Sequence, residues 1–145
     1  MTEPIILLVE DTASDEVLTL RALKKSGVAN RVVVVRDGAE ALDYLFARGA
    51  HAGRDVADLP RLILLDLNLP KISGLDVLRA VRADERTRRV PVVILTSSNE
   101  ERDLLGGYDL GANSYVVKPV DFTQFSDAVR QLGLYWLVVN QPAPT

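Results

Sequence analysis

Residues 62–66 read Leu62-Ile63-Leu64-Leu65-Asp66, four aliphatic side chains with no polar alternation, ending on a carboxylate. A strand with one wet face alternates polar and apolar residues, whereas a run apolar on both faces belongs to a parallel strand covered by helices on both sides. Four further runs of this kind stand at residues 5–9, 32–35, 92–95 and 115–117. Between the strands the apolar period lengthens to that of a helix. Ala13, Val17, Leu20, Leu23 and Gly27 recur at spacings of three and four, as do Ala39, Leu42, Leu45 and Gly49, then Leu75, Leu78 and Val81, then Leu104 and Tyr108, and finally Phe122, Phe125, Val129, Leu132 and Trp136. Each set predicts one buried stripe on one helix. Five strands alternating with five helices predict an α/β three-layer sandwich built by right-handed crossovers.

Helix boundaries carry their own signals. Asp37 is followed three places on by Glu40, Ser98 by Glu101 and Asp121 by Gln124, each pair offering an N-terminal acceptor and a possible reciprocal partner. Gly27 and Gly111 stand where left-handed C-terminal caps belong.

Composition narrows the function. At about 100 to 200 residues per domain, 145 residues predict one domain, spanning residues 1–140 with a short tail at 141–145. No cysteine is present, which removes disulfides, thiolate metal sites and cysteine nucleophiles together. Seventeen basic against twenty acidic residues give a net charge of −3, so no basic field is available to hold nucleic acid or an anionic bilayer. The N-terminus lacks the positive region of a secretory signal, and no apolar stretch approaches the ~20 residues that cross a bilayer. These features predict a soluble, cytoplasmic protein without nucleic-acid or membrane partners.

In a doubly wound sheet the ligand site lies beyond the carboxyl ends of the strands, at the switch in strand order. Those ends carry Glu10 and Asp11, then Asp66, Thr96 and Lys118-Pro119. A lone Asp after a strand is ordinarily a turn or helix cap, but acids, hydroxyl and ammonium at the ends of four strands are hard to explain as independent caps. Carboxylates brought this close repel one another, so either some are protonated or a cation joins them. With only oxygen ligands on offer, Mg²⁺ is favoured over zinc or copper, and Lys118 and Thr96 suit a phosphoryl group beside it.

The ordered set Ile6-Leu7-Leu8-Val9-Glu10-Asp11, Leu64-Leu65-Asp66-Leu67-Asn68-Leu69-Pro70 with Gly74, Val93-Ile94-Leu95-Thr96-Ser97, and Gly111-Ala112-Asn113-Ser114-Tyr115 leading into Lys118-Pro119 resembles the receiver domains of two-component response regulators. The resemblance implies a flavodoxin-like, CheY-like sheet in order 2-1-3-4-5. It implies that Asp66 is the phosphoacceptor for a sensor histidine kinase, and that Mg²⁺ is held by Asp11, Asp66 and the backbone carbonyl of Asn68, with Glu10 acting through a metal-bound water. By the same likeness Lys118 pairs with the phosphoryl oxygens, Thr96 hydrogen-bonds them, Tyr115 is the aromatic switch, and the Lys118-Pro119 bond is cis. Such a protein is a phosphoacceptor and no enzyme beyond self-phosphorylation from acyl phosphates and slow autodephosphorylation.

Two stretches exceed a minimal receiver. Residues 48–60 form a long connection, and its His51, without a second His or Cys nearby, reads as part of a solvated loop. In the last helix Leu134, Tyr135, Leu137, Val138 and Val139 add apolar groups around the faces left outside the inward stripe, and six of the eight aromatic residues lie from Tyr108 onward. An arm folded over its own domain would absorb them, but a homodimer through the fourth helix, fifth strand and fifth helix is favoured. The Glu10-Asp11 pair, the stretch from Asp37 to Leu45, the long connection and the ending Tyr135-Trp136-Leu137 resemble the single-domain response regulators of cyanobacterial and bacterial phytochromes, which implies a phytochrome-type kinase as partner and an unknown downstream protein.

Two other readings compete: a dimeric binding module that is not phosphorylated, and a haloacid dehalogenase-like phosphohydrolase. The latter also forms an aspartyl phosphate but needs a second Asp two residues on, where this chain has Asn68, which exchanges no proton at neutral pH. A steady-state assay with generic phosphate esters should accordingly give no rapid multiple turnover; fast turnover would favour the hydrolase.

Overall fold

Each apolar run becomes a strand whose ends lie within one residue of those read from the sequence: β1 (Ile5–Val9), β2 (Arg31–Val35), β3 (Leu62–Leu65), β4 (Val92–Thr96) and β5 (Ser114–Val117). The structure, a computed structural model, describes residues 5–25, 31–97, 101–118, 122–136, 140, 141 and 143, without the side chains at 101, 102, 122, 133 and 134. All five strands are parallel, in the order β2-β1-β3-β4-β5. The helices are α1 (Ala13–Lys25), α2 (Gly38–Leu45), α3 (Gly74–Ala83), α4 (Glu101–Asp109) and α5 (Phe122–Leu134). The chain leaves β1 toward one edge and β3 toward the other, so the switch point opens at the carboxyl ends of β1 and β3.

The two faces of the sheet form two cores. Leu7, Val9, Ile63, Leu65, Val92 and Ile94 pack with Ala41, Tyr44 and Leu45 of α2 and Val77, Leu78 and Val81 of α3. Ile6, Leu8, Leu62, Leu64, Val93 and Leu95 pack with Ala22 and Leu23 of α1 and Phe125 and Val129 of α5. Each fully buried aliphatic side chain contributes about 1.5 to 3 kcal/mol, and the three central strands beneath the site are buried end to end.

The stripes of α3 and α5 agree with the sequence: Leu78, Val81, Phe125 and Val129 are buried, and Leu75, Leu132 and Trp136 pack partly against the cores. The other three are corrected. On α1, Leu23 is buried and Leu20 packs partly against the core as the sequence predicts, but Val17 is 52% exposed and Thr19 and Ala22 turn inward, because apolar residues at 17, 18, 20, 22 and 23 allow two phases and the contact with α5 favours the second. On α2, Leu45 is buried and Leu42 packs partly against the core as the sequence predicts, but Gly38, Ala41 and Tyr44 fill the rest of the inward face, and the helix stops at Leu45, leaving Gly49 to open a short 3-10 turn. On α4 the inward position is Gly107, where a Cβ would stand 2.7 Å from Ile94 Cδ1 and 3.3 Å from Tyr115 Cδ2, and Tyr108 turns outward, 53% exposed.

Asp37 caps α2 as expected, its Oδ1 accepting from the Glu40 N–H at 2.7 Å, while Glu40 Oε1 reaches back past it to accept from the Arg36 N–H at 2.9 Å. Gly111 closes α4 with two bonds, its N–H to Tyr108 O and that of Ala112 to Gly107 O. Gly27, Ser98 and Asp121 lie outside the described residues, as do Leu137, Val138, Val139 and the side chain of Leu134, so the apolar ending is represented by Tyr135, which is 49% exposed.

The connection at 48–60 is more than a solvated loop. The Arg54 guanidinium lies 3.8 Å over the Tyr44 ring and donates to the backbone carbonyls of Tyr44 and Asp58, while the His51 ring meets Tyr44 edge-on at 5.2 Å. The insertion is thus pinned to α2 by a cation over an aromatic face.

Gly74 fixes the approach of α3 to the end of β3. Its N–H donates to Leu67 O at 3.0 Å, and a Cβ there would lie 2.3 Å from the backbone oxygen of Asp66 and 2.6 Å from Leu67 Cα. No side-chain rotation relieves a clash with backbone. Gly74→Ala should therefore destabilise the protein by about 2 kcal/mol or more, read as a lowered urea midpoint at unchanged slope.

Candidate functional site

The site is assembled from strand ends that the sheet holds in register. Asp66 follows β3 and its N–H bonds Val9 O at 3.1 Å; Glu10 follows β1 and its N–H bonds Val35 O at 3.0 Å; Lys118 follows β5 and its N–H bonds Thr96 O at 2.7 Å. Backbone ladders therefore aim Glu10, Asp66, Thr96 and Lys118 into one crevice, as the sequence predicts.

The Asp66 carboxylate is held from three directions. Oδ1 accepts from Thr96 Oγ1 at 2.9 Å and from the Asn68 N–H at 3.1 Å, and Oδ2 accepts from Lys118 Nζ at 3.1 Å. Glu10, only 2% exposed, accepts from Lys118 at 2.6 Å and through Oε1 from the Thr12 N–H at 3.2 Å. Lys118 also donates to Asp15 Oδ2 at 2.9 Å. One ammonium thus faces three carboxylates.

Asp15 was not singled out in the sequence, and the reason lies in the phase of α1. Asp15, Thr19 and Ala22 share the inward face, and Asp15 is its first, site-facing turn. The spacing Asp15-Thr19-Ala22-Leu23 was the available signal, masked by Val17 and Leu20. Conversely, Asp11 is exposed at the end of β1 and stands outside the group formed by Glu10, Asp15 and Asp66, whose oxygens lie within 4.8 Å of one another. Asn68 is exposed and reaches Asp66 through its backbone N–H. Tyr115 is half-buried on β5, opposite Ile94 in register and against Gly107. Pro119 lies outside the described residues, and with it the Lys118-Pro119 bond.

The electrostatics follow from the excess of negative charge. Burial is the largest influence on Glu10, and together with the nearby Asp66 charge it outweighs the Lys118 hydrogen bond, raising the Glu10 pKa from 4.5 to about 7. Burial alone would lower Lys118, but hydrogen bonds to Glu10 and Asp15 and the Asp66 charge more than offset it, so its pKa is raised and it remains a cation. The two shifts have different origins: Glu10 is raised chiefly by its burial, Lys118 by the carboxylates around it. The all-oxygen set of Glu10, Asp15 and Asp66, with its oxygens within 4.8 Å of one another, is of the hard-donor kind that suits a divalent cation such as Mg²⁺.

The chain belongs to the response regulator receiver domain family, which it matches over residues 6–130. Among curated relatives it is 43% identical over 141 residues to the probable methanogenesis regulatory protein FilR2 of Methanothrix harundinacea, covering 97% of this chain and 88% of that protein. It is 36% identical over 140 residues to response regulator Rcp1 of Synechocystis, covering 96% and 93%. Among solved structures, the phosphorylated cyanobacterial phytochrome response regulator RcpA superposes with a TM-score of 0.91 at 39% identity, over 99% of this chain and all of that one. A Mn²⁺-bound form of Rcp1 gives 0.89 at 34%, over 97% and 99%. Receiver domains are phosphoacceptors served by histidine kinases and bind a divalent metal at an acidic site, so the phosphohydrolase reading is not favoured. Among the described residues no helix is long and apolar enough to cross a membrane.

The raised Glu10 pKa sets a pH dependence. A carboxyl that binds its proton more tightly when folded makes stability fall as pH rises, here between the unfolded value near 4.5 and the folded value of about 7. Glu10→Gln, which removes the buried charge, should therefore stabilise the metal-free protein at pH 8 by about 1 to 3 kcal/mol and change it little at pH 5. Thermal melts of both proteins in chelator at the two pH values check this.

Proposed function

We propose that Asp66 accepts a phosphoryl group from a sensor histidine kinase of phytochrome type and that the chain passes the signal on through protein contacts. The observation that carries this reading is the fixed Asp66 carboxylate, held by Thr96, the Asn68 amide and Lys118 at the mouth of the crevice. An Asp66 oxygen attacks the phosphorus of the kinase's phosphohistidine, the O–P bond forms as the P–N bond breaks, and the imidazole leaves with the bonding pair and takes up a proton. Lys118 neutralises charge on the phosphoryl oxygens, and Thr96, already within hydrogen-bond distance of Asp66, follows the new group. Mg²⁺ would be held by Asp11, Asp66 and the Asn68 carbonyl, with Glu10 through a water, and supplies further charge neutralisation when bound.

Movement of Thr96 toward the phosphoryl group opens space that Tyr115 fills, biasing the packing of α4 against β5. The same face exposes Leu105 (57%), Tyr108, Val117 (39%) and Tyr135, which supports a homodimer through α4, β5 and α5 and a route to a downstream protein. Residues 1–140 act as one receiver domain with a tail at 141–145, in the cytoplasm, taking phosphoryl groups from acyl phosphates as well and losing them slowly.

Incubation with Mg²⁺ and acetyl phosphate should add one phosphoryl group, visible by intact mass, and Asp66→Asn should abolish it; labelling that survives the substitution would refute the assignment. Light scattering should find a dimer, and a monomer at high concentration in both phosphorylation states would remove that part of the reading.

A further inference from the structure

An ammonium has three N–H donors, and in this site all three are committed to carboxylates: Glu10 Oε2 at 2.6 Å, Asp15 Oδ2 at 2.9 Å and Asp66 Oδ2 at 3.1 Å. Phosphorylation replaces the single charge of Asp66 by roughly −1.5 to −2 spread over three strong acceptor oxygens. Lys118 can serve more than one of those oxygens only by giving up another partner. Glu10 makes the shortest contact and is buried, so releasing it would leave a desolvated carboxylate without its cation. Asp15 differs: its side chain is 34% exposed, it sits in the first turn of α1, and rotation about its own side-chain bonds carries it to water.

We propose that Asp15 is a positioning residue that holds the Lys118 ammonium in the resting site and yields it to the phosphoryl group, so that it sets how readily Asp66 is modified. The inference rests on Asp66 being the phosphoacceptor. In the resting protein Asp15 adds a negative charge where the phosphoryl donor must arrive and occupies a donor that the transferring group needs. Both effects restrain phosphorylation; the repulsion disappears with the charge, and a neutral acceptor in its place holds the ammonium more weakly. The phase of α1 places Asp15, and no other α1 carboxylate, on Lys118 among the described contacts.

The test compares the wild type with Asp15→Asn, which keeps the shape and removes the charge, and Asp15→Glu, which restores the charge on a longer stem. With acetyl phosphate at saturating Mg²⁺, the limiting rate of phosphorylation should rise about three- to tenfold in Asp15→Asn and fall back toward wild type in Asp15→Glu, a reversal that loss of structural support would not give. In metal-free protein the side-chain ammonium resonance of Lys118, slowed in exchange with water by its three acceptors, should exchange faster in Asp15→Asn. In a crystal of the wild type with Mg²⁺ and beryllium fluoride, a tetrahedral phosphoryl mimic, the Asp15–Lys118 separation should exceed 4 Å. An unchanged or lowered limiting rate in Asp15→Asn, an unaltered ammonium resonance, or an Asp15–Lys118 contact kept at hydrogen-bond distance in the mimic complex would each overturn the proposal. Absence of phosphorylation in the wild type would instead strike the assignment of Asp66 itself.

Discussion

The Lys118 ammonium is the constraint on which the rest of the site depends. Three carboxylates, from the ends of β1 and β3 and from the first turn of α1, converge on one cation at 2.6 to 3.1 Å. Without it, two buried acids and one half-buried acid would repel one another at low effective dielectric, and the crevice would open or take up protons. The cation comes from the edge strand of the sheet, the last to be added in chain order. β5 must therefore be laid in register against β4 before the charge balance of the crevice exists, and the hydrogen bond from the Lys118 N–H to Thr96 O fixes that register at the point where it matters. Fold and electrostatics are thus one requirement: the parallel ladder delivers charges that only the completed sheet can balance.

Thr96 belongs to both systems. Its hydroxyl bonds the Asp66 carboxylate and its carbonyl receives the Lys118 amide, so displacement of its side chain acts on the acid while its backbone stays tied to the strand. Beyond it, the link to α4 is stiffened from the far end. Arg82 of α3 donates to Gly111 O, Val90 O, Arg88 O and Asn113 Oδ1 at 2.7 to 3.0 Å, joining the entry of β4 to the turn before β5. A guanidinium with carbonyls as partners serves here as a bracket, with the Asn113 amide oxygen also accepting from the Val92 N–H at 2.9 Å.

The strands were legible because a run such as Leu62-Ile63-Leu64-Leu65 leaves no choice of face: both sides are covered, and the alternation rule that sets register in half-wet sheets is not needed. Glu10, Asp66, Thr96 and Lys118 were legible for the same reason, since a polar residue that ends such a run emerges at the carboxyl end of its strand, where the sheet is no longer covered. Helix faces were less so. In α1 the apolar residues at 17, 18, 20, 22 and 23 fit two stripes, and the choice is made by α5, far away in sequence; the stripe through Val17 would bury that residue and leave Asp15 unmarked. In α4 the inward place falls to a residue without a side chain, which no count of apolar spacing can find. The packing of Arg54 and His51 on Tyr44 leaves no mark in the sequence, because a cation over a ring has no periodicity at all.

Gly107 has a consequence beyond letting the Tyr115 ring approach. It follows Gly106, and two adjacent glycines inside a nine-residue helix each cost about 1 kcal/mol of intrinsic helix stability relative to alanine. The helical state of α4 is therefore not a property of its own backbone; it is lent by whatever it lies against, Ile94 and Tyr115 on the strands and Leu75 on α3. An element whose order is borrowed in this way responds to a rearranged neighbour as a whole, tilting or loosening together, where a helix of alanines would absorb the same change in one side chain.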